Sequence, residues 1–165
     1  MPASNNIQIS RFEPVDQRGV IEVIVPIQRE EFGIAITAED QPDLQAIPDF
    51  YQVGSGDFWV AKHDQHIIGT IGLKDIGAQQ AALRKMFVAQ AFRGREFGVA
   101  AQLLNTLLEE AKRRGVQEIY LGTTDKFLAA HRFYEKHGFI EVAKTELPKR
   151  FPVMAVDSKF YVLRR

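Results

Sequence analysis

The chain has 165 residues, no cysteine, and 21 basic side chains against 21 acidic ones. That length suits one domain with its own core. The missing cysteine excludes disulfides, thiolate zinc sites and a cysteine nucleophile, and the neutral total argues against a dedicated nucleic-acid binder. Charge is unevenly spread, with 5 Lys and Arg against 12 Asp and Glu in residues 1–80, and 16 against 9 in residues 81–165. Two halves of opposite sign suit two ligands of opposite sign, or an internal pairing of the halves. No apolar run approaches a membrane span and no signal-peptide pattern precedes Ile7. A cytoplasmic protein without membrane contact is therefore the expectation.

Ile7 to Phe12 alternates as a first strand. Val15 to Phe32 reads as helical, with Pro26 as a kink or break and Gly33 near its end. Ala38 to Leu44 opens a second short helix that runs to about Phe50. Asp57–Lys62 and Ile67–Leu73 read as paired strands, with the polar run His63 to His66 as their turn. Ala82 to Val88 is a further strand. The Gly98–Arg114 segment is an amphipathic helix with Ala100, Leu103, Leu104, Leu107, Leu108 and Ala111 on one face, and Gly115 caps it. Glu118 to Gly122 reads as a short buried strand, and Phe127 to His137 as a helix stopped by Gly138. Phe139–Ala143 and Val153–Leu163 are the closing strands. Hairpins alternating with strand–helix–strand units predict an α/β domain with a mixed sheet, extending over 1–165.

The run Phe92-Arg93-Gly94-Arg95-Glu96-Phe97-Gly98-Val99-Ala100 joins a strand to the long helix. A glycine-punctuated turn entering a helix exposes N–H groups without intrahelical partners, at the positive end of the helix dipole. Gly94 and Gly98 keep side chains out of the way, and Arg93 and Arg95 add positive charge. The run is a phosphate cradle. It is not a P-loop, because Val99-Ala100 follows Gly98 where Lys-Ser/Thr is required, and it lacks the dinucleotide fingerprint.

A second segment, Ala129-Ala130-His131-Arg132-Phe133-Tyr134-Glu135-Lys136-His137-Gly138-Phe139, completes a pattern. With the cradle it resembles the GNAT-type, acetyl-CoA-dependent N-acetyltransferases. Their first motif, Arg/Gln-x-x-Gly-x-Gly/Ala, falls on Arg93, Glu96 and Gly98, and their second is nearly intact from Ala130 to Phe139. The resemblance implies a single-domain GNAT-like fold, a mixed sheet of about seven strands flanked by about four helices. It implies acetyl-CoA as acyl donor, no metal, and a small-molecule or peptide amine as acceptor. Backbone groups of Met86, Phe87 and Val88 would hold the pantetheine arm. The residues Arg93, Gly94, Arg95, Glu96, Phe97, Gly98 and Val99 would bind the pyrophosphate. Tyr134 would protonate the departing CoA thiolate, as a phenol of ordinary pKa about 10 can. By spacing alone Tyr134 reads as a core aromatic; the motif turns that reading to catalysis. His131 reads as packing or capping, and His137 as a helix-end residue.

Glu96 stands where the family usually has glycine, and Phe127 where it often has asparagine. The strand positions that carry a glutamate base in many relatives hold Ala81 and Ala82 here. Asp75, Glu30 and Glu31 are the base candidates by position. The acceptor walls would be Gln28–Gln41, whose Glu30, Glu31, Glu39 and Asp40 suit a cationic amine, and Glu146–Met154. The second is stiffened by Pro148 and Pro152 and suits closure over the site or a homodimer contact. Two alternatives stand beside an enzyme: a CoA-binding sensor with a degenerate active site, and a nucleotide-phosphate protein using the same cradle.

Overall fold

Hydrogen-bonded pairing in the computed structural model joins seven strands in the order β1-β2-β3-β4-β5-β7-β6. The structure describes residues 6–94, 97–125 and 128–164. The strands are β1 (Ile7–Arg11), β2 (Asp57–His63), β3 (His66–Gly77), β4 (Gln80–Val88), β5 (Glu118–Thr123), β6 (Ile140–Val142) and β7 (Lys159–Arg164). All neighbours are antiparallel except β4 and β5, which run parallel and are joined through α4 (Val99–Arg113). A parallel pair needs such a crossover, whereas the neighbours β2–β3 and β3–β4 close by short turns. The other α-helices among the described residues are α1 (Gln17–Pro26), α2 (Pro42–Gln45), α3 (Ile47–Phe50) and α5 (Leu128–Lys136). No helix among the described residues is long and apolar enough to cross a membrane.

Alternation along β2 feeds two separate cores. Trp59 and Ala61 pack with Leu103, Leu104 and Leu107 of α4, and the α5 residue Tyr134 joins the same cluster. Phe58 and Val60 point the other way, to Val20 and Ile24 of α1 and to Leu44, Ile47 and Tyr51. Successive side chains on a strand take opposite faces, so a run apolar at every position must be covered on both. A third cluster, with Tyr120, Phe151, Phe160 and Val162, covers the far end of the sheet.

Three elements differ from the sequence expectation, each for a backbone reason. The first helix does not run unbroken to Phe32. Pro26 has no N–H to give, and the chain continues as a π turn over Ile27–Glu31, with the Phe32 N–H on the Ile27 carbonyl at 3.1 Å. The second helix is two short ones, each with a proline in its first turn, separated at Ala46 in a non-helical conformation. This makes five α-helices where about four were expected. The last strand begins at Lys159, not Val153. Pro152 cannot donate to a ladder, and Asp157 Oδ2 takes the Met154 N–H at 2.9 Å, closing a turn instead.

Asp57, the first residue of β2, ties the frame together. Its side chain is fully buried and accepts Arg11 Nε at 2.7 Å, Gln52 Nε2 at 2.8 Å and Arg114 Nη2 at 2.8 Å. Those bonds link β1, the loop after α3, and the end of α4. Burial pushes the Asp57 carboxyl up, but the bonds from Arg11, Gln52, Arg114 and the Phe58 N–H outweigh it and hold it below the ordinary range. A carboxyl held low in the folded state stabilises above the unfolded pKa of about 4 and loses that contribution as pH falls through the folded value. Asp57→Ala should therefore cost about 3 kcal/mol in urea unfolding at pH 7. The gap from wild type should narrow as the pH is lowered below about 4.

Candidate active site

Parallel pairing of β4 with β5 is brief: Gln80 faces Glu118, Ala81 faces Ile119, Ala82 faces Tyr120, and there the register ends. Leu121, Gly122 and Thr123 of β5 continue on β7, opposite Tyr161, Phe160 and Lys159. β4 continues on β3 as far as Val88. The two strands part, and a cavity of about 740 Å³ opens between them.

A bulge in β4 accompanies the parting. The register with β3 steps from Gly72 opposite Arg84 to Thr70 opposite Phe87, so two residues, Lys85 and Met86, oppose Ile71 alone. Bulges bend a strand and raise its twist. Lys85 takes φ +54°, a left-handed conformation that costs a lysine about 1 kcal/mol. Its carbonyl accepts the Thr70 hydroxyl at 2.7 Å. Its buried ammonium donates to Gln41 Oε1 at 2.6 Å and lies 3.7 Å from Asp43 Oδ2. Burial pulls the Lys85 ammonium down, and Asp43 pushes it back up. Gln28 and Gln41, both buried, exchange amide hydrogen bonds at 3.0 and 2.8 Å, which anchors the π turn to this network. The Tyr51 hydroxyl donates to Asp43 Oδ2 at 2.6 Å.

Arg84 projects beside it. Its guanidinium lies 4.0 Å from Asp43 Oδ2 and 3.7 Å from Met154 Sδ. Asp157, on the turn before β7, lines the same cavity, and its carboxylate sits over the Gly122 backbone. Burial pushes the Asp157 carboxyl up, while the Met154 N–H and the charge of Arg84 pull it down. Arg84, Lys85 and Asp157 were missed as site residues in the sequence. Two adjacent basic residues inside an apolar strand were a signal for the first two, since they break its alternation. Asp157 had none, because an acid next to a turn is ordinary.

The structure brings several of the predicted residues to this cavity. Met86, Phe87, Glu31 and Tyr134 line it. The Tyr134 ring packs on Phe133, Phe139 and Tyr161, so it is both a core aromatic and a wall of the cavity. Its hydroxyl lies 3.7 Å from Met86 Sδ, and burial pushes its pKa up to about 12. His131 bonds the Thr124 carbonyl at 2.8 Å, and His137 the Phe133 carbonyl at 2.9 Å.

At the cradle, Gly98 is the N-cap of α4 at φ +59°, where glycine is unstrained. The Phe97 N–H closes a turn onto the Gly94 carbonyl at 3.1 Å. Val99 begins the helix, so the first-turn N–H groups point out of its end. A cradle without a Cβ at Gly98 and with unbonded helix-end amides fits a pyrophosphate. Arg95, Glu96 and Phe127 lie outside the described residues.

Arg93 and Glu31 meet each other. Arg93 Nη1 is 2.7 Å from Glu31 Oε1, Nη2 donates to Oε2 at 2.9 Å, and Nε donates to the Val88 carbonyl at 2.8 Å. This two-pronged pair clamps the end of β4 to the π turn, and it occupies both a predicted phosphate ligand and a predicted base. Glu30 is exposed and does not line the cavity. Asp75 lies in β3 away from the cavity. It caps a turn, accepting the Ser55 and Gly77 N–H groups at 3.1 and 2.8 Å. Burial raises its pKa and those bonds lower it to a net depression, opposite to what a base for an amine requires. Among the described residues, no group of three or more His, Asp or Glu is placed to hold a metal ion.

Comparison with known proteins adds three findings. Residues 21–139 match the model of the acetyltransferase (GNAT) family. A GNAT-family acetyltransferase of Staphylococcus aureus Mu50 superposes with a TM-score of 0.90 at 38% identity, covering 96% of this chain and 98% of that one. N-acetylaspartate synthetase of Danio rerio is 33% identical over 109 residues, which are 65% of this chain and 37% of that protein. The chain thus spans little more than a third of that relative's length. The PaiA N-acetyltransferase of Thermoplasma acidophilum, solved with coenzyme A, shares the fold at a TM-score of 0.72 and 18% identity, covering 97% of this chain and 99% of that one.

The contact of Asp157 with Gly122 gives a direct check of this geometry. A Cβ at position 122 would sit 2.6 Å from Asp157 Oδ2. Gly122→Ala should displace the carboxylate and break its bond to the Met154 N–H. The expected cost is about 1 kcal/mol in urea unfolding, and Asp157→Ala should remove most of that added cost in a double mutant.

Proposed function

The chain belongs to the acetyltransferase (GNAT) family, and from that premise we propose that it moves the acetyl group of acetyl-CoA to a primary amine. The observation that carries this is the parting of β4 from β5 with Tyr134 at the wall of the opening. Backbone groups of Met86, Phe87 and Val88 lie past the last β4–β5 pair, where an extended pantetheine arm can add to the edge. Gly94, Phe97, Gly98 and Val99 present the cradle for the pyrophosphate. Arg93 shapes that loop through Glu31 and Val88.

Acetyl-CoA supplies an activated acyl carbon and a thiolate leaving group. Tyr134 holds its proton firmly, because burial disfavours the phenolate. A phenol at about 12 is a weak donor to a thiolate in water. The same dry wall also disfavours a free thiolate, which keeps the two basicities comparable where the proton moves from the Tyr134 oxygen to sulfur. Backbone N–H groups of β4 that face the gap are suited to an oxygen gaining negative charge.

Thiol release from acetyl-CoA in the presence of amines tests this reading. Tyr134→Phe should lower kcat about a hundredfold and leave acetyl-CoA affinity within about twofold. Equal loss of both would give Tyr134 a packing role. A large thermal shift with ATP and none with acetyl-CoA would overturn the donor assignment.

A further inference from the structure

An amine entering this cavity meets walls whose charge says what else it carries. On the footing of acetyl transfer at this site, we propose that the acceptor is a small amine bearing a carboxylate, with Arg84 holding the carboxylate and Asp157 receiving the ammonium.

Arg84 is the first observation. Its side chain is only 13% exposed, yet among the described residues no carboxylate lies within hydrogen-bond range of its guanidinium. Asp43 stands at 4.0 Å and is already shared between the Tyr51 hydroxyl and the Lys85 ammonium. The nearer neighbour is the sulfur of Met154, a weak acceptor. Two cations therefore face one carboxylate, and a desolvated guanidinium without a close anion is costly. The guanidinium fork matches a carboxylate in two parallel hydrogen bonds.

Asp157 is the second. Met154 links the two groups, with Arg84 on its sulfur and Asp157 on its N–H. A cation and an anion thus stand side by side on one wall, the complement of an ammonium and a carboxylate on one small molecule. Glu31, the other acid on the wall, is neutralised by Arg93, which leaves Asp157 for the amine. The segment expected to attract a cation contributes less: Glu30 and Glu39 are exposed, and Asp40 accepts the Thr37 N–H at 3.1 Å. A protein N-terminus or a lysine side chain within a peptide has no adjacent free carboxylate and falls outside the class.

The protons balance. The ammonium gives one proton to an Asp157 oxygen, and its nitrogen bonds the acyl carbon as the carbon–sulfur bond breaks. Sulfur takes the Tyr134 proton, the nitrogen's second proton returns to the Tyr134 oxygen, and Asp157 releases its own to solvent.

The test sets neutral L-amino acids against the amines that lack only the carboxylate, such as L-alanine against ethylamine and L-phenylalanine against phenethylamine. Amidated amino acids form a third arm. Thiol release is followed, together with the thermal shift each gives in the presence of CoA. Carboxylated amines should be turned over and should raise the melting temperature, and the other two arms should do neither. Arg84→Gln should raise KM for the carboxylated amine about a hundredfold, with the acetyl-CoA thermal shift intact as proof of folding, and Arg84→Lys should recover part of it. Asp157→Asn should lower kcat more than it raises KM. Equal turnover of amines with and without the carboxylate, indifferent to Arg84→Gln, would overturn the acceptor class and leave acetyl transfer standing. Acetyl-CoA binding without turnover of any amine in the panel would overturn both.

Discussion

Everything at the site depends on where β4 and β5 stop pairing. Three residue pairs hold the two parallel strands together, and beyond Ala82 and Tyr120 each follows a different neighbour. A continuous sheet would have filled that space with its own ladder. The bulge at Lys85 bends β4 on one side of the gap. On the other, β7 draws β5 away. The cavity, the exposed edge of β4 and the reach of Tyr134 all follow from this geometry. The cradle follows as well, since the chain leaving β4 must turn directly into α4.

Charge is sorted at the gap by pairing. Arg93 and Glu31 neutralise each other across the end of β4, and Lys85 shares Asp43 with Tyr51. The amide pair of Gln28 and Gln41 spreads this network into the π turn. What is left over is a guanidinium with only a distant carboxylate and a buried carboxylate beside Gly122. A site that cancels most of its charges and leaves two opposite ones uncancelled has a definite electrostatic shape. The acidic first half and basic second half of the chain do not predict it, because Glu31 belongs to one and Arg93 to the other.

Legibility varied by element for physical reasons. α4 was readable because its leucines recur at the helical period and glycines stand at both ends. The β2–β3 hairpin was readable because polar residues interrupt two apolar runs. Pro26 was readable as a break, but the shift to a π turn was not, since it depends on which carbonyl the next free N–H can reach. The start of β7 was misplaced because Val153 looks like a strand residue, while the side chain of Asp157 had already taken the Met154 N–H. Tyr134 could be found through its motif. Arg84 and Asp157 could not be paired, because 73 positions separate them and the β6–β7 turn brings them together.

By itself, the sequence determined the elements whose signals are local: strand alternation, the α4 face, the glycine at its entry, and the cradle with its second motif. These depend on residues within a turn or two of one another, where spacing is geometry. Tertiary structure alone decided which charges remain free. Whether Glu31 is a base or a partner of Arg93, and whether Arg84 is spent on Asp43 or turned to the cavity, depends on distances of a few ångströms between distant strands. Coulomb energy and desolvation are set by those distances, and no spacing along the chain encodes them.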